Sequence, residues 1–107
     1  MQMLYKLYTE DANRATIEAI LCKHVQSFTI YPAVGYYDGI KEKAIVIDCF
    51  GTTRAIVETV CQEIIKECNQ QSVGLVEIPC KAELVFAEMP IPPITGEEDL
   101  STSIDGL

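Results

Sequence analysis

Basic residues are scarce in this sequence, histidine occurs once and tryptophan is missing altogether. Lysine and arginine number 8 against 16 aspartates and glutamates, which gives a formal net charge of −8. Proteins bind the phosphate backbone of nucleic acids with Lys and Arg side chains that displace its counterions. The composition therefore predicts that nucleic acid is not a partner.

Long apolar runs are missing as well. No stretch of the sequence approaches the roughly 18 consecutive apolar residues that a transmembrane helix requires. The first eight residues, MQMLYKLY, alternate in polarity and include Lys6, which favours a strand over a signal peptide. We therefore expect a soluble, cytoplasmic protein without a membrane partner.

The cysteines form no recognisable metal or redox pattern. Five are present, with no C-x-x-C pair, and His24 is the only histidine. We interpret them as buried, reduced thiols, because Cys22, Cys61 and Cys68 fall on apolar helical stripes and Cys49 falls within an apolar strand. His24 lies at the edge of a helical stripe, where a structural role is favoured over a catalytic one. No metal and no cofactor are predicted.

Sequence patterns that carry catalysis are also missing. There is no glycine-rich phosphate loop, no nucleophile elbow and no Cys–His pair. The sequence therefore predicts that the chain is not an enzyme.

The central element is the run AIVIDCFG at residues 44–51. A strand that is apolar on both faces belongs in the middle of a sheet. Alternating patterns predict further strands at 2–9, 28–37 and 73–78, with a short extension over 80–86, and apolar stripes predict helices at 12–25 and 53–69. Asp11 is the expected N-cap of the first helix, and Thr52 or Thr53 that of the second.

This β-α-β-β-α-β order predicts an α+β, ferredoxin-like fold. Its antiparallel sheet has the strand order 4-1-3-2, and two helices cover one face. Pro32 and Pro79 agree with this order, since each falls in a strand that would lie at an edge. Asp38-Gly39 predicts a tight hairpin turn between strands 2 and 3. We expect residues 1–86 to form the domain.

Residues 87–107 form a C-terminal arm of different composition. The arm contains the run MPIPPI, typical of an extended polyproline-like segment, and five acidic residues with no basic one. Two interpretations stay open: a disordered tail, or an arm that packs on its own sheet or on a neighbouring subunit.

The second face of the sheet lacks a cover. In the central strand, one face carries Ile45, Ile47 and Cys49 and the other carries Ala44, Val46, Asp48 and Phe50, so whichever face the helices leave uncovered is largely apolar. Such a face predicts an oligomer formed by sheet packing.

Two clusters are candidate ligand sites. Tyrosine and lysine side chains can hold a flat anionic ligand by stacking and charge, and a helix N-terminus attracts anions. The first cluster surrounds the hairpin, and its tyrosines could equally pack on a neighbouring subunit. The second, at the start of the second helix, could be an ordinary cap. The candidate residues are Tyr36, Tyr37, Asp38, Lys41, Glu42 and Lys43 in the first, and Thr52 and Arg54 in the second. Asp48 is expected to pair with Lys6 or Tyr8.

With this order and these strand lengths, residues 1–86 resemble the superfamily of PII signalling proteins and CutA proteins, which are small trimeric ferredoxin-like domains. The long loop that PII proteins carry between strands 2 and 3 is replaced by the short connection at 37–43. The tryptophan-rich and histidine-bearing C-terminal patterns of CutA are missing. No nucleotide-binding residue of PII proteins has a counterpart here.

The chain is also similar to an uncharacterised family of small bacterial and phage proteins without established activity. The similarity rests on Phe28-Thr29, Gly35-Tyr36-Tyr37, Glu42 and Gln70-Gln71-Ser72-Val73. It implies the same fold and no particular chemistry.

Two hypotheses of function follow. The first is a non-enzymatic homo-oligomer, with a trimer favoured by the resemblance, that binds a small anionic ligand or a regulatory partner in a cleft between subunits. The second is a protein–protein inhibitor or adaptor that acts through its acidic surface and tail, and the similarity to bacterial and phage proteins leaves a phage origin open.

Overall fold

A computed structural model describes residues 2–88 of the chain. The elements follow the order β-α-β-β-α-β that the sequence predicts, and all six lie within the described range. They are β1 (Gln2–Glu10), α1 (Arg14–His24), β2 (Ser27–Tyr37), β3 (Ile40–Phe50), α2 (Arg54–Glu67) and β4 (Gly74–Cys80). The predicted arm at 87–107 falls outside the described residues from 89 onwards.

The four strands form one antiparallel sheet in the order β2-β3-β1-β4. This is the predicted order 4-1-3-2 read from the other edge, so the α+β ferredoxin-like fold is confirmed. Pro32 lies in β2 and Pro79 in β4, the two edge strands. A proline lacks the N–H that an inner strand must donate on one side, so these positions are compatible only with an edge.

The hairpin between β2 and β3 is tight and long. Tyr37 pairs with Ile40, which leaves Asp38 and Gly39 as a two-residue turn with φ of 51° and 76°. Two consecutive positive φ values match a type I′ turn, whose twist suits the flanking strands. Pairing then runs without interruption from Tyr37↔Ile40 to Ser27↔Phe50.

The helix starts show one error in the sequence interpretation. Asn13, in the left-handed region at φ 57°, is the N-cap of α1, and its side chain makes no capping bond. Asp11 does not cap the helix because its carboxylate accepts two hydrogen bonds from Arg14, at 3.0 and 2.9 Å. Thr53 caps α2 as expected, since its hydroxyl accepts from the Ile56 N–H at 3.3 Å.

The core lies between the sheet and the two helices. Its fully buried members come from alternate positions of β1 and β3 and from the apolar stripes of α1 and α2. The largest are Leu7, Ile17, Leu21, Ile45, Ile47, Val57, Val60 and Ile64. The helices are also joined at one end, where the Glu63 carboxylate lies 2.8 Å from His24 Nε2 and pairs with Lys23 Nζ at 2.9 Å. His24 therefore has a structural role.

The cysteines divide into buried and exposed groups. Cys49, Cys61 and Cys68 are buried as predicted, and burial raises the pKa of each, that of Cys49 to about 11. Cys22, which the α1 stripe predicts to be buried, is exposed. The reason is helix geometry: Cys22 follows Ile20 and Leu21, and three consecutive helical residues cannot all face the core.

The segment after β4 differs from the predicted extension. Regular pairing ends at Cys80, opposite Gln2, and one further bond from the Ala82 N–H reaches Gln2 Oε1 at 3.1 Å. Residues 81–87 have no regular secondary structure.

Replacing Ile47 with alanine should destabilise the fold strongly, because Ile47 is fully buried in the central strand. Truncation of such a side chain costs about 2–5 kcal/mol in the free energy of unfolding. The matched control is Ile40→Ala in the same strand, where the side chain is 69% exposed and the cost should stay below about 1 kcal/mol. Urea unfolding followed by circular dichroism measures both. Equal losses would contradict the assignment of the core face.

The native thiols should react unequally with Ellman's reagent at pH 8. Cys22 reacts in the first, fast phase, because it is exposed, whereas Cys49, Cys61 and Cys68 react only after unfolding, because they are buried and have raised pKa values. Cys22→Ser removes the fast phase, whereas the half-buried Cys80 reacts more slowly in both proteins. Rapid labelling of Cys49 in the folded protein would contradict the structure.

Candidate functional site

The face of the sheet opposite the helices, here called the open face, is uncovered within residues 2–88. Residues paired directly across neighbouring strands share a face, so the registers Lys6↔Asp48 and Tyr8↔Val46 place these residues together on it. Five large apolar side chains in the central part of the open face are 36–43% exposed, Val46 beside them is buried, and Tyr37 and Ile40 at the hairpin end are 61% and 69% exposed. The five are Tyr8, Tyr31, Phe50, Val76 and Ile78.

A polar triad lies in the middle of the open face. Lys6 Nζ donates to Asp48 Oδ1 at 2.7 Å and to the Tyr31 hydroxyl oxygen at 2.8 Å, and the Tyr31 hydroxyl lies 3.4 Å from the same carboxylate oxygen. The hydrogen bond to Asp48 has the largest effect on the pKa of Lys6 and raises it, and the bond to Tyr31 raises it further. The expected pairing of Asp48 with Lys6 is confirmed, and Tyr31 is the partner that the sequence did not reveal.

A cleft of about 540 Å³ adjoins one end of the open face. Its floor is formed by the end of β1, at Tyr8 to Glu10, and by Ala44 and Val46 of β3. The hairpin forms one wall, and the connection between α2 and β4, residues 69–72, forms the other. Tyr8, Val46 and Gly74 line the cleft and also belong to the open face, so the two surfaces are continuous.

The charge of this cleft is negative. Glu10 and Glu42 are the charged residues among the described residues that line it, and neither forms a salt bridge within residues 2–88. Glu10 pairs with Ala44, two positions from Glu42, so both carboxylates belong to the same face as diagonal neighbours. Their charges repel each other and attract a cation.

The wall residues add aromatic and amide groups to these carboxylates. Tyr37 shares the strand face of Glu42 and is 61% exposed, and Gln70 and Gln71 lie on the opposite wall. Tyrosine rings attract cations through their π faces, and amide side chains can both donate and accept hydrogen bonds. The cleft therefore combines the groups that recognise a small organic cation.

The structure divides the first predicted cluster. Tyr36, Tyr37 and Glu42 line the cleft, whereas Asp38, Lys41 and Lys43 do not. Alternate residues of a strand face opposite ways, so Lys41 and Lys43 belong to the helix side of the sheet, together with Tyr36, which pairs with Lys41. The positive charge that the sequence assigned to this site is therefore outside the cleft, and Tyr37 is the tyrosine that shares the face of Glu42.

The second predicted cluster is already occupied by carboxylates. Arg54 donates from Nε to Glu58 Oε2 and from Nη1 to Glu77 Oε1, both at 2.8 Å. Glu77 also accepts from the Tyr5 hydroxyl at 3.4 Å. The Thr52 hydroxyl oxygen is buried and has no partner within the described residues. Arg54 therefore connects α2 to β4 and does not offer a free cation to an anionic ligand.

Glu10, Gln70 and Gln71 are cleft residues that the sequence interpretation missed as site residues. The sequence pattern indicates a strand end at Glu10 and a helix end at the glutamines, and neither signal points to a site. These residues come together with the hairpin only through the β1–β3 register and the return of the chain into β4.

Neither a metal cluster nor a membrane-spanning helix occurs among these residues. Within 2–88 there is no group of three or more His, Cys, Asp or Glu side chains that could hold a metal ion. Neither helix in this range is long and apolar enough to cross a membrane.

Comparison with known proteins identifies the fold. No family model matches the sequence, and no curated protein does. A protein of the DUF3240 family from Shewanella baltica superposes with a TM-score of 0.63 at 10% identity, over 80% of this chain and 97% of that one. The divalent cation tolerance protein Cut A1 from Thermus thermophilus has a TM-score of 0.54 at 11% identity, over 78% of this chain and 88% of that one.

These likenesses confirm the ferredoxin-like fold, which this chain shares with the DUF3240 protein and with Cut A1. At such low identities they show the fold alone. The phage part of the sequence resemblance receives no support from them.

Proposed function

We propose that this chain is a non-catalytic module that associates with itself through the open face and binds a small ligand in the adjoining cleft. The observation that carries the proposal is the continuity of the two surfaces through Tyr8, Val46 and Gly74. A copy seated on the open face would lie beside the cleft and close one side of it. The resemblance to PII and CutA proteins favours a trimer.

The open face supports self-association on energetic grounds. Burying apolar surface favours association by roughly 25 cal/mol for each Å² removed from water. Tyr8, Tyr31, Phe50, Val76 and Ile78 are all partly exposed and belong to the same face. Monomeric proteins seldom leave a contiguous apolar patch of this kind uncovered.

The cleft supports a cationic ligand over the anionic one expected from the sequence. Glu10 and Glu42 supply negative charge, Tyr37 supplies an aromatic face, and the hairpin lysines lie on the other side of the sheet. Two carboxylates are too few for a metal site of protein ligands alone. An anion could be held only if basic side chains of a neighbouring copy entered the cleft.

Benzyltrimethylammonium should bind in the cleft, whereas benzoate, which carries a similar ring with the opposite charge, should not. The double substitution Glu10→Gln and Glu42→Gln should weaken binding of the cation at least tenfold, about 1.4 kcal/mol. The control is Glu18→Gln with Glu67→Gln, which makes the same charge change at exposed helix positions outside the cleft. Isothermal titration or amide NMR shifts measure the affinities.

Binding of benzoate with an affinity equal to or above that of the cation would contradict this ligand class and restore the anionic one. Equal loss of cation affinity in the control would show that net charge, and not the cleft, attracts the ligand.

A second candidate function is that of an inhibitor or adaptor that binds another protein through its acidic tail. The observation that favours it is the triplet Leu84, Val85 and Phe86, which is 75%, 88% and 78% exposed just before the acidic arm. Exposed apolar groups beside like charges are typical of segments that dock onto a partner.

Deletion of residues 87–107 separates the two functions. The truncated chain should bind benzyltrimethylammonium within about twofold of the full chain, because the described residues that line the cleft all precede the deletion. Binding of a protein partner through the acidic arm should vanish in the same variant, and any binding that remains would belong to Leu84, Val85 and Phe86, which the deletion keeps. A large loss of affinity for the cation on truncation would show that the arm takes part in the ligand site.

A further inference from the structure

We infer that Lys6 and Asp48 form a reciprocal ion-pair lock between copies of this chain, in which each pair completes its hydrogen bonds with the pair of a neighbouring copy. The inference rests on the proposed self-association through the open face. It adds which residues decide the register of that contact and which partners it admits.

The pair is only partly satisfied within one copy. Asp48 Oδ1 accepts from Lys6 at 2.7 Å and faces the Tyr31 hydroxyl at 3.4 Å, whereas Oδ2 has no hydrogen-bond partner within the described residues. Lys6 Nζ carries three N–H groups, of which two are used, by Asp48 and Tyr31. One donor and one acceptor therefore remain side by side for groups outside the chain.

The surroundings of the ion pair determine how costly this unused donor and acceptor would be in an interface. The Lys6 and Asp48 side chains are 20% and 21% exposed before any partner binds, and Tyr8, Val46 and Val76 are their neighbours on the open face. A partner that covers the face removes the remaining water. Buried charges left with unmade hydrogen bonds are costly, whereas fully satisfied ones are tolerated.

A second copy is the partner whose chemistry meets this demand. It presents the same unused donor and acceptor, so a symmetric contact can join Lys6 of each copy to Asp48 of another. The face is somewhat smaller than a standard interface: four strands about 4.8 Å apart and roughly 30 Å long cover about 570 Å² in projection, whereas a standard interface buries about 800 Å² per partner. The chain's own arm at 87–107 matches only half of this demand, because it has five acidic residues that can accept from Lys6 and no basic residue to donate to Asp48.

Exchange of the two charges tests the lock. The variant Lys6→Asp with Asp48→Lys keeps an ion pair within each copy and should assemble with itself. Mixed with the wild-type chain, it should be excluded, since Lys6 of the wild type would then face the introduced lysine of the variant. The exchange leaves the mass unchanged, so the wild-type chain is labelled with ¹⁵N. The two chains are unfolded together, refolded and measured by native mass spectrometry.

We expect only uniform assemblies in this mixture, with mixed ones at least tenfold below their statistical abundance. The control exchanges another ion pair, Asp11→Arg with Arg14→Asp at the start of α1, outside the open face, and should mix statistically. Statistical mixing of the Lys6/Asp48 exchange would overturn the lock.

Truncation of the pair gives a second, independent readout. Lys6→Met alone should raise the dissociation constant of the assembly at least a hundredfold, because Asp48 is left unpaired under the interface. Adding Asp48→Leu should recover most of that loss, and it should broaden the range of subunit numbers, because an apolar contact fixes no register. Equal affinity of all three chains would overturn the lock.

The failures are distinguishable. A wild-type chain that is monomeric at all concentrations would remove the proposed self-association and the lock with it. An assembled wild type that mixes freely with the exchanged variant removes the lock alone. If the full chain is monomeric and the chain without residues 89–107 is oligomeric, the arm occupies the open face. That result would overturn both the proposed self-association and the lock.

Discussion

The constraint on which this structure depends is that two helices can cover only one face of a four-stranded sheet. The central strands β1 and β3 carry apolar side chains on both faces, and α1 and α2 bury one set of them completely. The other set, apart from the buried Val46, remains partly exposed, and exposed apolar surface is more stable when a partner covers it. The core thus defines the fold, and the surplus of apolar residues beyond the core defines the surface available for association.

This constraint also determines how the Lys6–Asp48 ion pair on the open face contributes. On an ordinary wet surface, an ion pair such as Lys6–Asp48 contributes little, because water competes for both charges. In the middle of an apolar sheet face, the ion pair distinguishes between subunit contacts. A contact that leaves the Lys6 donor or the Asp48 acceptor unpaired is destabilised, whereas a contact that pairs both is not. Hydrophobic burial would then supply the affinity, and the ion pair the register.

Sequence patterns predicted the fold well because the decisive signals are local. Pro32 and Pro79 identified the edge strands, Asp38-Gly39 identified the turn, and the run at 44–51 identified the centre. The N-cap of α1 was missed because a carboxylate before a helix can pair with Arg14 instead of the backbone, and sequence order does not distinguish the two.

Only some residues of the candidate site could be predicted from the sequence. Tyr36, Tyr37 and Glu42 could be found because they are neighbours on the hairpin, but Glu10 and the connection at 69–72 reach the cleft from distant parts of the chain. The charged residues that line the cleft differ from the predicted ones for a related reason. Lysines and glutamates alternate at 41–43, so a one-residue change of face exchanges a positive site for a negative one. Register, which pairs Glu10 with Ala44 beside Glu42, decides which charged side chains line the cleft, and register is a tertiary property.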